Sequence, residues 1–153
     1  MEVKSCLLPD DLWYHVEHNV WLRDHGDGSY ELGMTDIAQT MAGALIHCRP
    51  KPAGPKTIAE GKSLATVESG KWVGPVKAPF DCTVVAKNDQ VEADAGIMNK
   101  SPYKLGWIVR VKPVAGPAAL AKLVQGQAAH DGFRDYMDRN KLGDCIHCEG
   151  FDG

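Results

Sequence analysis

Lys71 lies in Ser69-Gly70-Lys71-Trp72-Val73-Gly74-Pro75, between two glycines. A lysine at the tip of a turn becomes a nucleophile once deprotonated, and an acylating enzyme can reach it. The flanking segments, 64–67 and 82–86, are small, apolar and β-branched, as strands are. Glycine permits the positive φ of a tight turn, whereas Pro75 and Pro79 fix φ and withhold a ladder donor. This spacing predicts a protruding hairpin with Lys71 near its tip. Taken alone, Lys71 would be a solvated loop charge.

Cys145-Ile146-His147-Cys148 is the second candidate. A Cys-x-x-Cys can form a redox disulfide, and a neighbouring histidine can lower a thiol pKa. One such pair falls short of the four ligands of a structural zinc site. The histidine lies inside the pair, which is not the haem-attachment pattern. Two readings stay open: a redox pair acting on or near a group held by Lys71, or a tail without chemistry. Cys48 and Cys82 fall in strand-like segments and read as small core residues. His15, His18, His25, His47 and His130 offer no persuasive ligand spacing, so no metal is expected. There is no catalytic triad or paired-acid arrangement. The glycines at 70 and 74 do not precede a helix, so they form no phosphate loop. These residues point to a carrier or binding protein without catalytic residues of its own.

The elements that must position them are mostly short strands. Residues 1–10 read as a frayed start. Residues 12–23 carry Trp13, Tyr14 and Trp21 in one or two strands, followed by the turn Asp24-His25-Gly26-Asp27-Gly28-Ser29 and the alternating strand 30–34. Thr35 or Asp36 caps a short helix to about Ala42, with Ile37 and Met41 facing inward together. Strand 44–48 precedes an exposed, proline-rich loop over 49–56, where continuous ladder pairing is not expected. One or two helical turns fall within 92–98, and 106–112 is the clearest strand. Pro117 opens a helix with Leu120, Leu123 and Val124 as its stripe, and a further helix covers about 132–141. The last residues, 143–153, read as a mobile tail. The pattern indicates a mostly β fold, a flattened barrel or sandwich with short helices and a C-terminal helical extension. Three segments are expected: 1–11, a main domain over 12–128, and a helix with its Cys-x-x-Cys tail over 129–153.

At 153 residues the chain is long enough for a proper core. A net charge of −3 gives no basic field to attract nucleic acid or an anionic membrane. No apolar run approaches the roughly 20 residues that span a bilayer. The short Cys6-Leu7-Leu8-Pro9 segment is too small for a signal-peptide core, and five scattered cysteines argue against a secreted disulfide framework. The expected location is the cytoplasm.

Glu68-Ser69-Gly70-Lys71-Trp72, followed by Val76-Lys77-Ala78-Pro79 and Thr83-Val84-Val85, resembles the lipoyl-lysine hairpin of glycine cleavage system H proteins. Three further segments are similar to that family. Glu17-His18-Asn19-Val20-Trp21 looks like its Glu-His-Glu-Trp-Val, with the tryptophan shifted by one. Residues 32–39, Leu-Gly-Met-Thr-Asp-Ile-Ala-Gln, match Ile-Gly-Ile-Thr-Asp-Tyr-Ala-Gln. Ser101-Pro102-Tyr103 with Gly106-Trp107 matches Asp-Pro-Tyr…Gly-Trp. The matches keep their order over about 12–125. They imply the flattened β fold of lipoyl and biotinyl domains, with lipoate held covalently on Lys71.

The resemblance also implies secondary roles. Glu68 would be a recognition determinant for the lipoate–protein ligase, although spacing alone leaves it an ordinary surface carboxylate. Gly70 and Trp72 flank the attachment point where the family usually has valine and alanine. Trp72 either shields the dithiolane and helps a partner dock, or is a core anchor. These departures, with the Cys-x-x-Cys tail, look more like the lipoate-binding proteins of sulfur-oxidising bacteria, which work with a heterodisulfide reductase-like complex. That resemblance implies a carrier shuttling a sulfur intermediate, with that complex, the ligase and lipoamide dehydrogenase as partners. The alternatives are an aminomethyl carrier of the glycine cleavage system and a lipoyl-fold binding module without cofactor.

Overall fold

The computed structural model describes residues 1–153. Ten strands form three antiparallel sheets. The first is a small hairpin, β1 (Glu2–Val3) with β2 (Cys6–Leu7). The largest contains β3 (Trp13–His15), β4 (Val20–Asp24), β5 (Tyr30–Met34), β9 (Cys82–Lys87) and β10 (Val109–Pro113), in the order β3-β4-β5-β10-β9. The third is β6 (Leu45–Pro50), β7 (Ser63–Ser69) and β8 (Val73–Lys77), with β7 central. The mostly β expectation holds, but no sheet closes into a barrel. The two larger sheets instead bury a shared core that includes Leu22 and Leu32 from one and Leu64, Val67 and Val76 from the other.

Alternation decides which residues enter that core. In β7, Leu64, Ala65 and Val67 are buried while Thr66 is exposed. Gly26 and Gly28 take positive φ in the β4–β5 turn, as its composition anticipates. Gly33 has a different purpose. It pairs with Trp21 across the ladder, and a Cβ there would lie 2.7 Å from the indole. The buried Trp21 Nε1 donates to the Met34 and Pro102 carbonyls at 3.1 and 2.9 Å.

The helices are short. α1 (Asp36–Ala42) is capped by Thr35, whose hydroxyl accepts from the Ala38 N–H at 3.1 Å. α2 (Asp89–Ala93) is capped by Asn88, and α3 (Ile97–Lys100) follows. A 3-10 helix (Gly116–Lys122) has Pro117 in its first turn, and α4 (Gly126–Arg139) buries Ala129, Phe133 and Met137. No helix is long and apolar enough to cross a membrane.

Four local expectations change. Residues 1–8 are not frayed: Val3, Cys6 and Leu8 are buried in a second cluster with Tyr14, Trp21 and Phe133. β6 runs on through Arg49 and Pro50, paired with Thr66 and Ala65, because Pro50 ends its strand and so interrupts no ladder. Ile37 is buried, but Met41 is 40% exposed, since α1 ends one residue later at the rim of the core. The C-terminal tail is docked against the body by side-chain and main-chain hydrogen bonds.

Candidate functional site

β7 and β8 form the hairpin that carries Lys71. Their register runs from Ala65 opposite Val76 to Glu68 opposite Val73. The Ser69 N–H donates to the Trp72 carbonyl at 2.8 Å, so Gly70 and Lys71 are the two central residues of the turn. The Lys71 N–H donates to the Ser69 hydroxyl at 3.3 Å, a side-chain brace typical of serine at turns. The expected protrusion is there, and Gly70, Lys71, Trp72 and Val73 are all exposed.

The glycines act differently from the expectation. Neither Gly70 nor Gly74 has positive φ. Gly74 is required by packing: the Trp72 ring lies against its Cα, and a Cβ there would overlap the indole. Trp72 is 39% exposed, so it is a surface residue folded back on its own strand and not a core anchor.

Lys71 leans toward the end of α1. Gly43, the C-cap, has φ of +81° and faces the lysine stem, with a Cβ at 43 falling 3.0 Å from Lys71 Cε. Gly43 thus meets two demands, a left-handed cap and room for the lysine. The ion-paired lysines are Lys4, Lys87, Lys104 and Lys122; Lys71 is not among them.

Two cavities lie beside the hairpin tip and share Met41 as a wall, one lined by Trp72 and the other by Lys71. One, of about 230 Å³, lies on the Trp72 side among His18, Asn19, Met34, Ala38 and Tyr136. The other, of about 400 Å³, includes Lys71 itself, with Ile37, Thr40, Met137 and the tail residues Asp144, Cys145 and Ile146. Both have mainly hydrophobic linings.

The tail cysteines do not pair with each other. Cys145 is joined to Cys6 of β2, and Cys148 is a free, exposed thiol. Three positions separate 145 from 148, but 139 positions separate the partners that bond. The fold brings the latter together because the first hairpin and the chain after α4 lie side by side. The Cys145 N–H donates to the Lys4 carbonyl at 3.0 Å, and the Ser5 hydroxyl to Asp144 at 3.1 Å. The reading of Cys145 and Cys148 as one redox pair is therefore replaced by a Cys6–Cys145 cross-link. Cys48 and Cys82 are buried as expected, and burial pushes both thiols up to about 12, which makes them poor nucleophiles.

Asp36 organises the base of the site. It is fully buried at the start of α1. Its carboxylate accepts from the Leu7 N–H at 2.8 Å and from the Gln39 side-chain amide at 2.9 Å, and His147 Nε2 lies 2.6 Å away. One side chain thereby ties β2, α1 and the tail together. Gln39 extends the network to the Ile146 carbonyl at 2.9 Å and to Asn99, whose amide also reaches the Gly43 carbonyl. From sequence, Asp36 is only a capping candidate and His147 only a neighbour of the tail cysteines; Cys6 and Met41 carry no pattern linking them to Lys71. Glu68 sits half-buried on β7, opposite His47 and Val73, on the strand that leads to Lys71.

His15, His18 and Glu60 also come together, with ligand atoms within 4.8 Å of one another. The histidine rings stack at 4.0 Å. The His18 N–H donates to His15 Nδ1 at 3.0 Å, and Glu60 is bonded to Lys122 at 2.9 Å. Burial holds both histidines below the ordinary imidazole value; the second His lowers His15 further, and Lys77 does so for His18.

The fold and site define a mostly β scaffold that displays Lys71, outside any ion pair, on a two-residue hairpin turn beside an apolar cavity. The glycine cleavage H-protein family matches residues 12–136, and the chain belongs to that family. Glycine cleavage system H protein 3 of Aquifex aeolicus is 41% identical over 150 residues, covering 96% of this chain and 92% of that protein. Probable glycine cleavage system H protein 2 of Sulfurisphaera tokodaii is 39% identical over 142 residues, covering 92% and 95%. Among solved structures, a glycine cleavage system H protein from Mycobacterium marinum aligns with a TM-score of 0.67 at 26% identity, covering 88% of this chain and all of that one.

Proposed function

We propose that this protein is a lipoyl carrier, with lipoate in amide linkage to Lys71, and that it passes a bound intermediate between enzymes. The observation that carries the reading is the position of Lys71 at the tip of the β7–β8 turn, with its amine outside every ion pair and its side chain lining a mainly apolar cavity. The residues fit the group. The turn exposes the amine to a ligase, and Met41, Ala38 and Trp72 offer apolar surface to a hydrocarbon arm. When bound, lipoate supplies a strained disulfide that thiolates open readily. The chain supplies reach and orientation: Gly43 leaves space for the lysine stem, Ser69 braces the turn, and Glu68 faces the ligase.

The setting best supported by the relatives is glycine cleavage, in which the arm carries an aminomethyl group between the decarboxylase and the aminomethyltransferase. A second setting, transfer of sulfur intermediates with a heterodisulfide reductase-like complex, is favoured by Trp72 at the attachment point and by the cysteine-bearing tail beside Lys71.

Expression with a lipoate–protein ligase and lipoate, followed by intact-mass measurement, should give one lipoyl adduct, absent in Lys71→Arg. No adduct in the wild type would support a binding module without cofactor. Reconstitution with the glycine decarboxylase and aminomethyltransferase then separates the two settings. Sustained glycine turnover supports the first, and its absence from a fully loaded carrier supports the second.

A further inference from the structure

We infer that Cys6–Cys145 is a thiol–disulfide exchange site for a dithiol delivered into the Lys71 cavity, with Cys145 as the sulfur attacked. Cys145 and Lys71 line the same cavity of about 400 Å³, together with Thr40, Met41 and Met137. Both cysteines belong to the bond, but they differ in access. Cys6 is fully buried in the second hydrophobic cluster, and Cys145 is half-buried at its edge. A thiolate entering from the lysine side meets Cys145 first.

The exchange balances within the two partners. One thiolate of the dithiol bonds to Cys145 Sγ, the Cys145–Cys6 bond breaks, and Cys6 leaves with the electron pair. Cys6 takes up a proton and is placed to donate it as a thiol hydrogen bond to the Lys4 carbonyl, 3.7 Å from its Sγ. The second thiol then displaces Cys145, closing the dithiol's own disulfide and releasing the Cys145 thiol. Two electrons and two protons move from the dithiol to the cysteine pair, and no outside oxidant is needed. A monothiol would have to recruit a second molecule for the last step, so the site selects for dithiols.

Several contacts besides the disulfide hold the tail at the cavity. The Ile146 N–H donates to the Thr40 hydroxyl at 3.1 Å, Gln39 holds the Ile146 carbonyl, and His147 lies on Asp36. Reduction therefore leaves Cys145 at the cavity, ready for reoxidation by the reverse exchange. Cys148 lies outside the bond and is an internal control.

The proposal deepens the lipoyl reading and in its intramolecular form rests on it. The two are separable by experiment. The full unloaded chain, in its disulfide form, is incubated with free dihydrolipoamide, quenched, alkylated and mapped by peptide mass. The expected result is new labelling of Cys6 and Cys145, with lipoamide formed in equal amount and Cys148 labelled before and after. Persistent protection of Cys6 and Cys145 in excess dithiol would overturn the proposal. The loaded chain is then reduced at its arm with lipoamide dehydrogenase and NADH. Labelling of Cys6 and Cys145 at a rate independent of protein concentration is expected; a rate proportional to concentration would overturn the shared-cavity geometry. In a loaded Cys145→Ser chain with an unchanged circular dichroism spectrum, the arm dithiol should persist. Should Lys71 never load, the lipoyl reading fails while free dihydrolipoamide still decides the exchange.

Discussion

The β7–β8 hairpin and the C-terminal tail meet at one cavity, but they are built on opposite principles. The hairpin turn is local: Ser69, Gly70, Lys71 and Trp72 form it and brace it among themselves, although β7 also pairs with β6 and the lysine stem meets Gly43. The tail has no regular structure and is held by partners far away in sequence: Lys4, Cys6, Asp36, Gln39 and Thr40. A locally determined element can offer a lysine to many enzymes without disturbing the core. A distantly anchored one can report on, or react with, what that lysine carries.

Substitutions sharpen this contrast. The largest effect belongs to Lys71→Arg, which should abolish the lipoyl adduct in intact mass. It should change the unfolding free energy by less than about 0.5 kcal/mol, since the side chain is exposed and unpaired. A large loss of stability would show that the hairpin is not independent of the body. On the tail side, Cys6→Ser should cost about 2–4 kcal/mol in denaturant unfolding, because it removes a cross-link closing a very long loop. Asp36→Ala should cost about 3 kcal/mol by leaving the Leu7 N–H and the Gln39 amide without a buried acceptor. Limited proteolysis should then cut within 143–153 faster than in the wild type, and an unchanged rate would mean that the disulfide, Gln39 and Thr40 hold the tail without Asp36. Gly43→Ala should cost about 1–2 kcal/mol through its left-handed φ. The same change should slow acylation of Lys71 by displacing its stem.

The smallest effect is a pH dependence centred on His15 and His18, the latter on the wall of the Trp72-side cavity. His15 and His18 are held below the ordinary imidazole value in the fold. Between that folded value and the unfolded one, the unfolded chain binds more protons, so stability rises with pH. Melting temperature should fall as pH drops below about 6.5, and His15→Gln should flatten that slope. Glu60, held low by Lys122, adds its own loss only in the more acidic carboxylate range. An unchanged slope in His15→Gln would assign the pH dependence to other groups.

Much of the hairpin was legible in the sequence because its determinants are neighbours in the chain. Turn residues bracket Lys71, and strand-like residues flank it. Even there, the reason for Gly74 was not legible. A glycine in a turn reads as freedom of φ, whereas this one makes room for the Trp72 ring. The strand 30–34 and the cap at Thr35 followed from alternation and capping chemistry, which are also local; the strand expected over 106–112 starts only at Val109, because the Gly106 N–H closes a turn onto the Ser101 carbonyl. The tail was misread for the complementary reason. A Cys-x-x-Cys invites pairing at short separation, and nothing in the residues around Cys145 points to Cys6.

The amino-acid sequence by itself determined the turn that displays Lys71, the mostly β character and the family likeness, since each depends on residue types within reach of one another along the chain. Only the tertiary structure decided that the sheets stay open, that Met41 divides two cavities, that Asp36 binds three segments and that Cys145 joins Cys6 beside Lys71. Those outcomes depend on which distant surfaces share a core, and burial of apolar area is indifferent to separation along the chain.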